Sequence, residues 1–92
     1  MITPVLRIEY LTQIKKYQVM KYEQGSPRVL SDAPSAIELI ERITILLRRD
    51  YSIKYEISYS PAAWYSLTRQ EKGVLEGIIE LHTLIVHTEK KP

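Results

Sequence analysis

Ile53-Lys54-Tyr55-Glu56-Ile57-Ser58-Tyr59-Ser60 alternates apolar and polar residues without a break. Because successive side chains of a strand point to opposite faces, this stretch predicts a strand with one buried and one wet face. It separates two amphipathic helical segments, each of which needs a sheet to cover. The stretch therefore predicts a small α+β domain.

The residues before it predict a β-hairpin. Val5 to Thr12 alternates weakly and is interpreted as strand one, and Lys16 to Glu23 can fold back on it after a turn at Gln13 to Lys15. Gln24-Gly25-Ser26-Pro27 is expected to end the pairing, because Gly tolerates positive φ and Pro cannot donate to a ladder.

A first helix is predicted from about Pro34 to Arg49. Ser35 and Glu38 match a capping box, which satisfies free amides at a helix start. One side of this helix is apolar and comprises Ala36, Leu39, Ile40, Ile43, Leu46 and Leu47. Ile45 is the exception, since it projects from a charged face, and it is expected to be ringed by Glu41, Arg42, Arg48 and Arg49.

A second helix is predicted from about Arg69 to His87. Ser60 to Tyr65 is interpreted as a loop, and Thr68 with Glu71 forms a second capping box. The apolar arc of this helix comprises Val74, Leu75, Ile78, Ile79, Leu81, Ile85 and Val86. His82 lies near the centre of that arc and is interpreted as a core histidine with a hydrogen-bond partner.

These elements predict a two-layer α+β sandwich in the order β-β-α-β-α. Its three-stranded sheet would carry both helices on one face, with the last strand parallel to strand one or two. Residues 1–92 are expected to form a single domain, with 88–92 frayed.

Composition limits the class of protein. The chain has 92 residues, a net charge of +2 and no Cys, which excludes disulfides and thiolate metal sites. Its longest apolar runs are far shorter than the ~20 residues of a transmembrane helix. We therefore expect a cytoplasmic protein without a membrane partner.

No group of residues indicates catalysis. His82 and His87 lie five positions apart on a helix and point in different directions. Gly occurs only at positions 25, 73 and 77, which argues against a Gly-rich phosphate loop. We expect no enzyme activity, no cofactor and no metal site.

Several apolar or small residues indicate protein–protein contact instead. Gly73 and Gly77 share one helix face with Leu84, and a Gly within a helix costs about 1 kcal/mol relative to Ala. Either a partner or another part of the same chain is expected to approach this bare backbone. Trp64 and Ile45 are further interaction candidates. These residues favour a small non-catalytic regulatory or inhibitor module that forms a homodimer. That it is of microbial or mobile-element type is expected from base rates for short chains and not from any motif.

The alternative hypothesis is a small nucleic-acid-binding protein. Its candidate contacts are Lys15, Lys16, Arg48 and Arg49. Binding by these residues requires that they form one basic patch in space.

Four short segments form a pattern that is seen elsewhere, namely Arg7–Glu9, Ala36–Leu39, Ile57–Tyr59 and Thr68–Lys72. Together they resemble DinI-type SOS regulators. The stretch Lys15–Ser31 has no counterpart in that family, and the acidic, Trp-containing last helix of the family is missing here. Because the function of the family would rest on that helix, no function is transferred.

Overall fold

Four strands and three helices make up the part of the chain, residues 3–89, that the computed structural model describes. In order they are β1 (Val5–Leu11), β2 (Lys16–Glu23), β3 (Ser26–Ala33), α1 (Ala36–Arg49), β4 (Glu56–Tyr59), α2 (Pro61–Ser66) and α3 (Arg69–Glu89). The predicted α+β class is confirmed. The predicted three-stranded sheet with two helices is wrong, because one strand and one short helix were missed.

The sheet has the strand order β3-β2-β1-β4. β1 to β3 form an antiparallel meander, and α1 then crosses over so that β4 lies parallel to β1, with Val5 opposite Glu56 and Ile8 opposite Tyr59. A last strand parallel to strand one was one of the two predicted arrangements.

β3 occupies the segment that was expected to end the pairing. Gln24 and Gly25 both have positive φ, at 55° and 82°, so they form a tight turn whose twist suits a β-hairpin. Pro27 is tolerated because β3 lies at the sheet edge and pairs only with β2. The turn that was interpreted as a breaker is therefore a second hairpin connection.

Two further boundaries differ from the prediction. β4 begins at Glu56, so Ile53 and Lys54 lie outside the ladder despite the alternating pattern. The predicted loop after it contains α2, which Ser60 caps by accepting a hydrogen bond from the Ala63 N–H at 3.1 Å. Pro61 occupies the first turn, where its missing N–H costs nothing.

One hydrophobic core fills the space between the sheet and the helices. The predicted core is confirmed: Tyr55, Ile43 and Leu75 are buried, and Ile40, Ile57 and Ile78 pack against them half-buried. The strands contribute Leu6, Ile8, Tyr17 and Val19.

Both predicted helix caps are present. The Glu38 N–H donates to Ser35 Oγ at 3.3 Å, and the Glu71 N–H donates to Thr68 Oγ1 at 3.1 Å. The Thr68 N–H in turn donates to Glu71 Oε1 at 2.8 Å, which completes the reciprocal pair.

α3 includes Thr88 and Glu89, the first two positions of the segment that is expected to fray. The rest of that expectation, at 90–92, falls outside the described residues. None of the described helices has a stretch long and apolar enough to cross a bilayer.

Candidate functional site: an apolar groove between two helices

The apolar arc of α3 is wider than the core that covers it. Leu75, Ile79, His82 and Val86 face the core and are buried. Leu81, from the same predicted arc, is 61% exposed, and Val74 and Ile85 are 43% and 44% exposed. The interpretation of the whole arc as core is therefore wrong.

The exposed part of the arc continues into a band along one side of α3. We define the α3 band as Val74, Gly77, Ile78, Leu81, Leu84 and Ile85. Val74 and Leu81, like Gly77 and Leu84, are seven positions apart, which is the repeat of a helix that pairs with another helix. No position of the band carries a charge.

An apolar groove separates this band from α1. It has a volume of about 340 Å³. We define the α1–α3 groove by its lining residues, Thr44, Leu47, Arg48, Tyr51, Ile78, Leu81, His82 and Ile85. Tyr51, at 57% exposure, contributes an aromatic ring to this lining.

Two side-chain hydrogen bonds fix the segment between α1 and β4 beside the groove. His82 Nε2 lies 2.6 Å from the Ile53 carbonyl oxygen, and because a carbonyl only accepts, the imidazole N–H donates. The Tyr55 hydroxyl donates to Asp50 Oδ2 at 2.6 Å. Burial, and then this bond to a carboxylate, raises the pKa of Tyr55 above its ordinary value. The interpretation of His82 as a hydrogen-bonded core histidine is confirmed.

Gly73 and Gly77 are exposed on α3, next to Leu84 in the helical projection. A Cβ added at either position would meet nothing within 4 Å. Among residues 3–89, neither the sheet nor α1 covers this bare backbone. Leu84 itself is 63% exposed.

Trp64 lies in α2 and is partly engaged within the chain. Its ring meets the Tyr59 ring edge-on at a centroid distance of 5.3 Å, and the Lys72 ammonium lies 3.7 Å from its centroid. Lys72 Nζ also donates to the Trp64 carbonyl oxygen at 3.0 Å. These contacts give the half-exposed ring a structural role.

Ile45 is exposed, as predicted, but it lies on the side of α1 that faces β3. Arg42 and Arg49 flank it there. Arg48 also lines the α1–α3 groove.

The four nucleic-acid candidates are not brought together. Lys15 and Lys16 lie at the β1–β2 turn, near Tyr17 and its β3 partner Ala33, after which α1 begins. Arg48 and Arg49 are the last two of the 14 residues of α1, a rise of roughly 18 Å from its first residue. The two pairs lie at opposite ends of the domain.

Sequence reasoning missed the α1–α3 groove, in particular Thr44 and Tyr51. The available signal was the width of the α3 arc, which exceeds the stripe that a surface helix usually buries.

No three His, Asp or Glu side chains within residues 3–89 converge as a metal site would require. Comparisons with protein families, with curated proteins and with solved structures find no match to this chain.

Proposed function

We propose that this protein is a small, non-catalytic interaction module that self-associates through α3. In the arrangement we propose, the α3 band of each copy packs into the α1–α3 groove of the other. The observation that carries the proposal is the exposure of Val74, Leu81, Leu84 and Ile85 on one uncharged side of a helix.

The chemistry of the band favours a second copy as the occupant. Interface centres are depleted in charged residues, and an uncharged apolar strip is best covered by another such strip. A twofold dimer presents the same patch on both subunits, so each copy supplies both a band and a groove. The heptad-like spacing of the band suits such helix pairing.

Burial of the exposed side chains of the band would contribute favourably to the free energy of association. Burying a whole Leu or Ile side chain is worth roughly 1.5–3 kcal/mol, so burying the exposed part of Leu81, Leu84 or Ile85 is worth about 1 kcal/mol each. Twofold symmetry doubles the sum. Gly77 has no Cβ, so a second helix can approach its backbone closely. The space beside it is open, since an added Cβ would meet nothing within 4 Å.

Sedimentation equilibrium of the wild-type protein and of Leu84→Glu tests the proposal. We expect a dimer for the wild type and a monomer for Leu84→Glu, because a carboxylate would be buried without a partner in the interface. Leu81→Glu should also give a monomer, because Leu81 belongs to the α3 band and also lines the α1–α3 groove.

Ile14→Glu is the matched control. Ile14 is 58% exposed in the β1–β2 turn, so the same change in polarity is made far from α3 in sequence. Circular dichroism checks that each variant is folded. A monomeric wild type at high concentration, or a dimer that survives both α3 substitutions, would exclude this interface.

Nucleic-acid binding is the weaker candidate, because its four basic residues lie at two ends of the domain. Titration with a generic oligonucleotide at two salt concentrations tests it. A tight, salt-sensitive complex abolished by Lys15→Glu would favour this alternative over the dimer.

A further inference from the structure

A second groove lies between α1 and the edge strand β3, on the opposite side of α1 from the α1–α3 groove. It has a volume of about 380 Å³. Its outer wall is formed by Arg28, Val29 and Leu30 from β3 and by Arg42, Ile45 and Arg49 from α1. We call this the β3–α1 groove.

Three guanidinium groups give this groove a positive rim. Arg42 Nε donates to the backbone carbonyl of Asp32 at 3.3 Å. Because a carbonyl has no net charge, this hydrogen bond does not neutralise the Arg42 guanidinium. Arg49 Nε lies 3.5 Å from Asp50 Oδ1, with the Arg49 side chain 69% exposed. Among the described residues, Arg49 is the only one of the three that pairs with a carboxylate.

The part of this wall between the arginines is aliphatic. Ile45 is 61% and Val29 is 50% exposed, although both sit beside buried core residues. Among residues 3–89, no aromatic ring lines the groove. Single-stranded nucleic acid is usually held by rings on which bases stack, so these walls suit a polypeptide better than a polynucleotide.

The edge of β3 restricts how a polypeptide can bind. Pro27 has no N–H, and a register shift opposite Val19 and Met20 interrupts the ladder. Both features guard an edge against continuous strand addition. Affinity must therefore come from side chains rather than from backbone pairing.

We infer that the β3–α1 groove binds an acidic segment of a partner protein. Aliphatic side chains of that segment pack on Val29 and Ile45, and its carboxylates pair with Arg28, Arg42 and Arg49. Arg binds a carboxylate through two parallel hydrogen bonds, which gives such a site geometric specificity as well as charge. The inference is independent of the proposed dimer, because it uses the other side of α1.

Selection from a random-peptide display library on the wild-type protein tests the inference. We expect the recovered peptides to combine Asp or Glu with aliphatic residues, and to bind less tightly as salt is raised. The affinity of a recovered peptide, measured by fluorescence anisotropy, should fall at least about tenfold for Arg49→Glu. Ile45→Ser should weaken it as well.

Arg48→Glu is the matched control, since Arg48 is the neighbouring residue in the same helical turn but lines the other groove. Circular dichroism establishes that each variant is folded. Recovery of peptides without acidic residues would overturn the inference, as would equal loss of binding in Arg48→Glu. So would a single-stranded oligonucleotide that displaces the peptide and binds more tightly, which would assign the groove to nucleic acid.

Discussion

α1 and α3 were both recognised from an apolar arc, but the fold covers them to different extents. Every member of the predicted arc of α1 is buried or half-buried, with Leu39 and Ile43 at 0% exposure. On α3, Leu75 is fully buried while Leu81, fewer than two turns further on, is 61% exposed.

The difference follows from where each helix meets the sheet. α1 packs on β2 and β3, which are long strands, whereas α3 reaches the sheet at β4, an edge strand of four residues. One side of the α3 arc therefore has no sheet beneath it. An amphipathic pattern predicts which residues can be buried. The area of the layer that packs against the helix determines how many of them are buried.

The largest expected effect compares Leu75 with Leu81. Leu75→Ala should lower the free energy of unfolding by about 2–5 kcal/mol, since it removes a fully buried side chain. Leu81→Ala should cost less than about 0.5 kcal/mol in dilute monomer, because its side chain is already in water. Urea denaturation measures both values. Similar losses at the two positions would contradict the described orientation of α3.

The helix caps provide a second comparison between α1 and α3. Ser35→Ala and Thr68→Ala should each cost about 1 kcal/mol, because each hydroxyl accepts a hydrogen bond from an otherwise free amide. Thermal and urea denaturation measure the loss, and neither variant should change the dimer mass. A dimer lost without a loss of stability would give that hydroxyl a role in the interface.

Buried Tyr55 and half-buried Tyr59 sharpen the comparison at the level of single hydroxyl groups. Tyr55→Phe should cost about 1 kcal/mol, because it leaves Asp50 without its hydrogen bond.

The Tyr59 hydroxyl is buried and has no hydrogen-bond partner among the described residues. Burial, followed by the charge of Glu76, raises the pKa of Tyr59 to about 12. Tyr59→Phe should therefore leave stability unchanged or increase it. Urea denaturation of both variants at neutral pH measures the change in the free energy of unfolding. A larger loss for Tyr59→Phe than for Tyr55→Phe would contradict this prediction.

The smallest expected effect concerns the bare backbone of α3. Gly77→Ala should stabilise the monomer by about 0.5–1 kcal/mol, because the helix gains propensity and the new methyl group meets nothing within the chain. The same change should weaken the proposed dimer by adding bulk within the α3 band.

Gly73→Ala is the matched control, since it lies outside that band and should stabilise the monomer without affecting association. Urea denaturation in dilute solution and sedimentation separate the two effects. A Gly77→Ala dimer as tight as the wild type would place the helix contact elsewhere on α3.

The sequence alone determined the elements whose signals are local. Ser35 with Glu38 and Thr68 with Glu71 marked helix starts that the structure confirms, and the Tyr- and Val-rich stretch Lys16–Glu23 was predicted as a strand with the limits that β2 has. The Gln24-Gly25 turn and the Ser60-Pro61 cap were equally local signals, but they were interpreted as a breaker and a loop. Both motifs are compatible with two conformations, and the neighbouring packing selects one of them.

Only the tertiary structure decided which apolar residues remain in water. Periodicity placed Leu75 and Leu81 in one arc, and no local rule distinguishes them, because burial depends on the layer that lies opposite. The same holds for Arg48 and Arg49, neighbours in sequence that line different grooves. A helix separates consecutive side chains by about 100°, and the elements on either side of it, which are distant in sequence, determine what each side chain meets.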